Sequence, residues 1–233
     1  SAQTAMSGRY SSSHSRQTRT CIRGDATLPV PMKETGTTSR RAEILRSAVP
    51  AFRRRGYHGA SVDEIAGTLG MTKGNLYYYF KNKEEILFFC HDWSLDIGVD
   101  RLAEVQSQGG PPGQKLRRLI VAFGDMIIDE LHGTAPTMDL QALSPAHLKR
   151  VIAKRDRFDR GLRKIIEDGI ESGVFAPGDP KLLTFAVLGA ANWITRWYDP
   201  KGPRSTDGIG NAFADFLLLG MQSIPRHKRQ SPP

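Results

Sequence analysis

Residues 61–85 read SVDEIAGTLGMTKGNLYYYFKNKEE, and this stretch decides the fold. Ser61-Val62-Asp63-Glu64 has the form of a capping box, in which a Ser hydroxyl and a Glu carboxylate satisfy two orphan amides at a helix start. Ile65, Ala66 and Leu69 then make an inner face, and Gly70 ends the helix. Thr72 is placed to cap a third, short helix that runs to Phe80, and Asn82 opens a fourth by the same logic. Two short helices joined by the turn Leu69-Gly70-Met71 have the spacing of a helix-turn-helix. Leu76 and Phe80, four apart, must face inward, which turns Lys73, Asn75, Tyr77 and Tyr78 partly outward. Gly74 lets the backbone approach a duplex, at a helical cost of about 1 kcal/mol. Tyr hydroxyls donate to phosphates, while Lys73 and Asn75 reach base edges.

Upstream, Ile44, Ala48 and Phe52 recur every four residues with Leu45 and Val49 beside them, the stripe of a first helix from Thr38 to Gly56. Pro50 falls inside it and predicts a kink, since proline removes an amide donor. Arg53-Arg54-Arg55 suit the negative end of that helix and read as a solvated terminus more readily than as a phosphate clamp. Downstream, helical patterns cover 82–106, 111–131, 145–172, 180–198 and 207–221, broken by the Gly/Pro runs at 109–113 and 176–180. The fold class is all-α with about nine helices. Its organisation is a Ser/Thr/Arg-rich disordered extension at 1–37, a helix-turn-helix domain at 38–84, a larger helical domain at 85–222, and a basic flexible tail at 223–233. Met32 is a candidate start of a shorter product.

Charge follows the same division. Of the net +9, residues 38–81 hold +5, whereas 82–224 hold −2. A basic head on a slightly acidic body fits a nucleic-acid partner. No run approaches the roughly 18 apolar residues of a membrane span, and no apolar signal region opens the chain. The two cysteines, Cys21 and Cys90, make no disulfide framework. A soluble, cytoplasmic protein without a membrane partner is expected.

The run from Ile44-Leu45 through Phe52, Gly56-Tyr57, Ser61-Val62, Ile65-Ala66 and Gly70-Met71-Thr72-Lys73-Gly74, continued by Leu76-Tyr77-Tyr78-Tyr79-Phe80 and Lys83-Glu84, resembles the DNA-binding domain of the TetR family of bacterial transcriptional regulators. The resemblance implies a dimeric, ligand-responsive regulator of double-stranded operator DNA, most often a repressor. Carried over by position, Thr72, Tyr77, Tyr78 and Lys83 would contact phosphates, Lys73, Gly74 and Asn75 would lie nearest the bases, and Ser61 would anchor the other flank. Tyr79 stands where the family commonly has His, and reads as a core or seam residue. For Tyr77, packing against the first helix is the competing assignment.

The body resembles the family in architecture only. Leu183, Ala186, Val187, Ala190 and Ala191, with Gly189 between them and Phe213, Phe216 and Leu217 following, are the expected homodimer seam. Asn192-Trp193-Ile194-Thr195-Arg196-Trp197-Tyr198-Asp199-Pro200 is similar to a stretch of acyl-CoA-responsive members. Trp93, Phe123, Trp193, Arg196 and Trp197 are therefore the expected effector residues, for a small hydrophobic molecule or an acyl-CoA thioester. Pairing with Asp199 is the alternative role for Arg196. No cofactor, metal site or catalytic residue is expected: no H-E-x-x-H, C-x-x-C or G-x-S-x-G occurs, and no two of the six histidines stand at i, i+4. The competing reading is a helical small-molecule-binding or enzymatic domain with a vestigial head, which would lack a steep salt dependence of duplex binding.

Overall fold

The computed structural model describes residues 36–126, 139–199 and 201–222. The expected extension lies outside these residues as far as position 35, and so does the expected tail at 223–233. Eight α-helices and one 3-10 turn occur among the described residues: α1 (Gly36–Gly59), α2 (Val62–Thr68), α3 (Lys73–Tyr79), α4 (Lys83–Ser107), α5 (Pro112–Asp125), the turn Leu140–Ala142, α6 (Pro145–Glu171), α7 (Pro180–Trp197) and α8 (Thr206–Met221). No strand is present among them; a single bridge joins Phe175 to Gln222.

The first three helices follow their local signals. Ser61 caps α2 by accepting from the Asp63 amide, Thr72 caps α3 by accepting from Asn75, and Asn82 caps α4 by accepting from Glu85. Only half of the expected capping box forms, because the Glu64 carboxylate turns to Arg54 at 3.2 Å and Arg55 at 3.7 Å. Gly70 adopts a left-handed φ of 62°, and the Met71 amide reaches back to the Ala66 carbonyl at 2.9 Å, the bond that closes α2 and turns the chain into α3. The kink expected at Pro50 is displaced: the residue with non-helical angles inside α1 is Gly56, at φ 67°. A left-handed residue breaks helical geometry outright, whereas proline's own φ suits a helix.

Two cores result. Ile44, Leu45, Ala48, Val49 and Phe52 of α1 enclose Ile65, Ala66, Leu76 and Phe80, and the cluster continues through Ile86, Leu87 and Phe88 of α4 to Leu143 and Val151 beside and within α6. The second core gathers Leu102, Leu116, Ile120, Phe158, Leu162, Ile166, Phe175, Val187 and Ala214 from α4 to α8. The head is thus packed onto the body through α4.

A polar joint reinforces that junction. Glu84, in the first turn of α4, accepts from the Ser144 amide at 2.8 Å and meets the His147 Nδ1 at 2.8 Å, while the His147 ring stacks on Phe88 at 3.9 Å. Burial alone would raise the Glu84 carboxyl, but the Ser144 and His147 bonds outweigh it and hold it below its ordinary 4.5. A carboxyl depressed in the folded state stabilises above its unfolded pKa and loses that contribution as pH falls through the folded value. Glu84→Gln is therefore expected to unfold at a lower temperature near neutral pH, with the gap to the parent narrowing as the pH falls below the ordinary carboxyl value of 4.5. Thermal circular dichroism across pH checks this; a gap independent of pH would exclude the carboxylate as its source.

Candidate functional site

The outer face of α2 and α3 is polar and exposed. Ser61, Thr72, Lys73, Gly74, Asn75, Tyr77 and Tyr78 all reach solvent, with Tyr78 82% exposed. Only Leu76 of α3 is fully buried, and apart from the half-buried Tyr79 the seven-residue helix presents the rest outward. A Cβ added at Gly74 would meet nothing closer than Thr72 Oγ1 at 3.8 Å, so no internal contact demands glycine there. The Lys73 ammonium lies 3.3 Å from Asp63 Oδ2, which ties α3 to α2 across the turn. Both side chains are exposed, so this pair contributes little stability.

Lys83 stands apart from the other residues carried over from the family. It is half-buried, donates to the Ala60 carbonyl at 3.1 Å and the His58 carbonyl at 3.4 Å, and sits 4.5 Å above the Tyr57 ring. Its ammonium thus stitches the start of α4 to the α1–α2 connection. Arg41 plays a matching part that sequence reasoning missed: its guanidinium donates to the Tyr79 carbonyl at 2.9 Å and lies over Phe80 and Phe89. Tyr79 is half-buried against the head core. Arg53, Arg54 and Arg55 are exposed.

A cavity of about 100 Å³ lies in the body, lined by His91, Ser94, Leu95 and Gly98 of α4, Phe123 with Met126, Arg155 and Phe158 of α6, and Leu188 and Asn192 of α7. Burial, aided by the Arg155 charge, pushes the His91 imidazole down to about 4, so it is neutral at physiological pH. Next to it on α4, Cys90 is fully buried and its thiol is pushed upward by desolvation, which makes it inert.

Of the five expected effector residues, Phe123 alone lines this cavity. Trp93 packs against the head core beneath the Arg46 guanidinium at 5.4 Å. Trp193 is 64% exposed, and Trp197 stacks on Phe213. Arg196 lines a separate polar cleft of about 410 Å³ with Phe52, Arg53, Gly56, Asp139, Thr195 and Tyr198, between the end of α1 and the end of α7. The expected cluster is therefore split between the two spaces and the surface.

The residues of the expected dimer seam divide between the subunit core and the surface, with Ala186 and Phe216 exposed. Val187 is only 4% exposed and belongs to the subunit core, and Leu183, Phe213 and Leu217 pack against that core; Ala190 is half-buried. The large apolar side chains that α7 and α8 leave in solvent are Leu182, Phe185, Trp193, Trp197, Phe216 and Leu219. Both helices are apolar on more than one face, and periodicity does not say which face the subunit covers. Among the described residues no cluster suits a metal ion, and no helix is long and apolar enough to cross a membrane.

Comparison with known proteins places these features in context. A family model described as bacterial regulatory proteins, tetR family, matches residues 44–88, and one described as tetracyclin repressor-like, C-terminal domain, matches residues 109–221. The HTH-type transcriptional repressor KstR2 of Mycolicibacterium smegmatis is 27% identical over 187 residues, covering 78% of this chain and 91% of that protein. The structure of PfmR, a transcriptional regulator from Thermus thermophilus, is 32% identical, covers 77% of this chain and 99% of its own, and superposes with a TM-score of 0.69. AibR in complex with isovaleryl coenzyme A and operator DNA is 26% identical, with 77% and 98% coverage and a TM-score of 0.66.

Proposed function

The chain belongs to the TetR family of bacterial regulatory proteins, and we propose from that premise that it is a homodimeric, ligand-responsive repressor of operator DNA. The observation that carries the reading is the outer face of α3: an exposed helix with Gly74 in its first turn, an 82% exposed Tyr78, and Lys73 and Asn75 beside them, none of which the buried core requires. Such a face is suited to a major groove, with Lys73, Gly74 and Asn75 toward base edges and Ser61, Thr72, Tyr77 and Tyr78 toward phosphates. Lys83 acts by holding α4 to the head. The head corresponds to residues 38–84 and the body to 85–222. KstR2 is a repressor, and AibR holds operator DNA together with an acyl thioester; both support this reading.

The effector is a small molecule seated in the body cavity, where four helices meet and where α4 leads directly to the head. A ligand that prefers one arrangement of α4 against α6 shifts the population of DNA-competent dimers. An acyl thioester is the effector class that the AibR complex supports. The chain works by binding rather than catalysis, in the cytoplasm and without a membrane partner.

Duplex binding across salt concentrations tests the reading. Asn75→Ala is expected to relax sequence preference by about 1–3 kcal/mol at one base position, leaving the salt slope unchanged. Tyr78→Phe is expected to weaken all sequences alike. Specific and non-specific affinities that survive both substitutions would remove α3 from the interface.

A further inference from the structure

We propose that Arg41 is a positioning residue for operator recognition: from α1, its guanidinium clamps the C-terminal end of α3 against the Phe89 ring of α4 and sets the angle of the recognition helix. The inference rests on the reading of α3 given above and names a residue that acts through it. The two short helices of the head end differently. Helix α2 closes locally, since Gly70 takes a left-handed φ of 62° and the Met71 amide returns to the Ala66 carbonyl at 2.9 Å. Helix α3 has no such device. Its C-cap, Phe80, is extended at φ −138° and ψ 129°, so the chain leaves without turning back on the last carbonyls. A helix of seven residues does not hold its last turn unaided. Arg41 Nη2 supplies the missing partner, donating to the Tyr79 carbonyl at 2.9 Å from 38 positions away in the sequence.

The same guanidinium lies against two rings. Its central carbon is 5.5 Å from the Phe80 centroid and 5.3 Å from the Phe89 centroid, both at cation–π distance, and the two rings meet edge to face at 5.8 Å. Phe80 caps α3 and Phe89 lies in the second turn of α4, so one side chain joins α1, the end of α3 and α4. A planar fork can donate at its edge and stack on its face, whereas an ammonium is a point charge without a face. The start and middle of α3 are held by the Thr72 cap and by buried Leu76. What remains is a swing of the far end, which carries Tyr77 and Tyr78 relative to Lys73 and Asn75. Fixing that swing in advance lowers the ordering cost of binding. Arg41 is exposed and basic, so direct contact with a phosphate is the alternative role. Salt separates the two: a lost phosphate contact makes the log–log salt slope shallower by about 0.9, and a lost clamp leaves it unchanged.

The test uses the full chain and a duplex that the parent protein selects from a randomised pool. Arg41→Met is expected to bind that duplex about tenfold more weakly, about threefold for each of two heads that must order α3 on binding, with the salt slope unchanged. Without DNA, the Phe80 amide, which bonds the Leu76 carbonyl at 3.2 Å, is expected to exchange about tenfold faster, as loss of one hydrogen bond to a charged group implies. The amides of α2 keep their rates. Arg41→Lys keeps the charge and loses the fork, so it is expected to stay near Arg41→Met in both readouts. Phe89→Leu keeps apolar bulk and removes the ring face. Combined with Arg41→Met, it is expected to bind within about twofold of the weaker single variant, because both break one cluster. A slope shallower by about 0.9 for each head, full recovery in Arg41→Lys, or single effects that multiply in the double variant would each overturn the clamp. If Arg41→Met unfolds the head, seen as lost protection in α1 and α2 together, Arg41→Lys is read in its place. Two failures are distinguishable. If the parent selects no duplex, the regulator reading fails, and the Phe80 exchange rate alone decides the clamp. If the duplex is selected and both Arg41 variants bind it like the parent, the clamp is overturned and the reading of α3 stands.

Discussion

Phe216→Glu is expected to convert the protein to monomers and to abolish specific DNA binding in the same step. Phe216 is 78% exposed on α8, and Leu219 on the same helix is 68% exposed. On α7 Leu182, Phe185 and Trp193 are exposed as well. In a two-fold interface the same patch meets itself, so one substitution introduces two carboxylates into a desolvated seam. One seven-residue recognition helix reads few base pairs, and two heads bridging a pseudo-palindrome supply the remaining selectivity. Losing the link between heads forfeits an avidity of about 10²–10⁴. Sedimentation together with duplex titration reads both effects. Val187→Glu is the contrasting control: that position is in the subunit core, so the charge should unfold the subunit, visible as loss of helical circular dichroism. A Phe216→Glu protein that remained dimeric on its operator would overturn the assignment of this face.

The contrast between Phe216 and Val187 also shows where the amino-acid sequence stops being informative. The head is legible because its determinants are local. Ser61, Thr72 and Asn82 each cap a helix by bonding an amide two or three residues away, and Gly70 supplies a left-handed turn where its place in the sequence demands one. Ile44, Ala48 and Phe52 announce their buried face by spacing alone. The body is less legible because its determinants are not local. Helix α7 carries apolar residues on two faces, one covered by its own subunit and one left open, and periodicity describes both equally well. His91, Arg155 and Asn192 lie on three different helices and meet at one cavity only after those helices pack. Read singly, each has an ordinary explanation, and the aromatic residues chosen instead as effector contacts are mostly drawn to the surface or to other seams. Lys83 illustrates the same limit: its ammonium bonds the carbonyls of residues 58 and 60, partners outside α4 that spacing alone does not reveal.

Leu76→Ala should have the largest effect of any substitution that leaves the DNA-facing surface chemically intact. Helices of seven residues are not stable alone, because nucleation costs more than so few hydrogen bonds return. What holds α3 in place is Leu76, fully buried among α1 and α2, with Phe80 just beyond the helix and the Arg41 bond to the Tyr79 carbonyl as secondary ties. Truncating a buried leucine to alanine costs about 2–5 kcal/mol. The loss should concentrate in the head, since the second core of α4 to α8 shares no residue with Leu76. Local opening of α3 then competes with binding, and the apparent Kd rises by the inverse of the fraction still docked. Hydrogen exchange distinguishes this from a lost contact. In Leu76→Ala the amides of α3 should lose protection while those of α6 and α8 keep it, whereas Lys73→Ala should weaken DNA binding with α3 protection unchanged. Native protection and native DNA affinity in Leu76→Ala would mean that the recognition helix is held by something other than the head core.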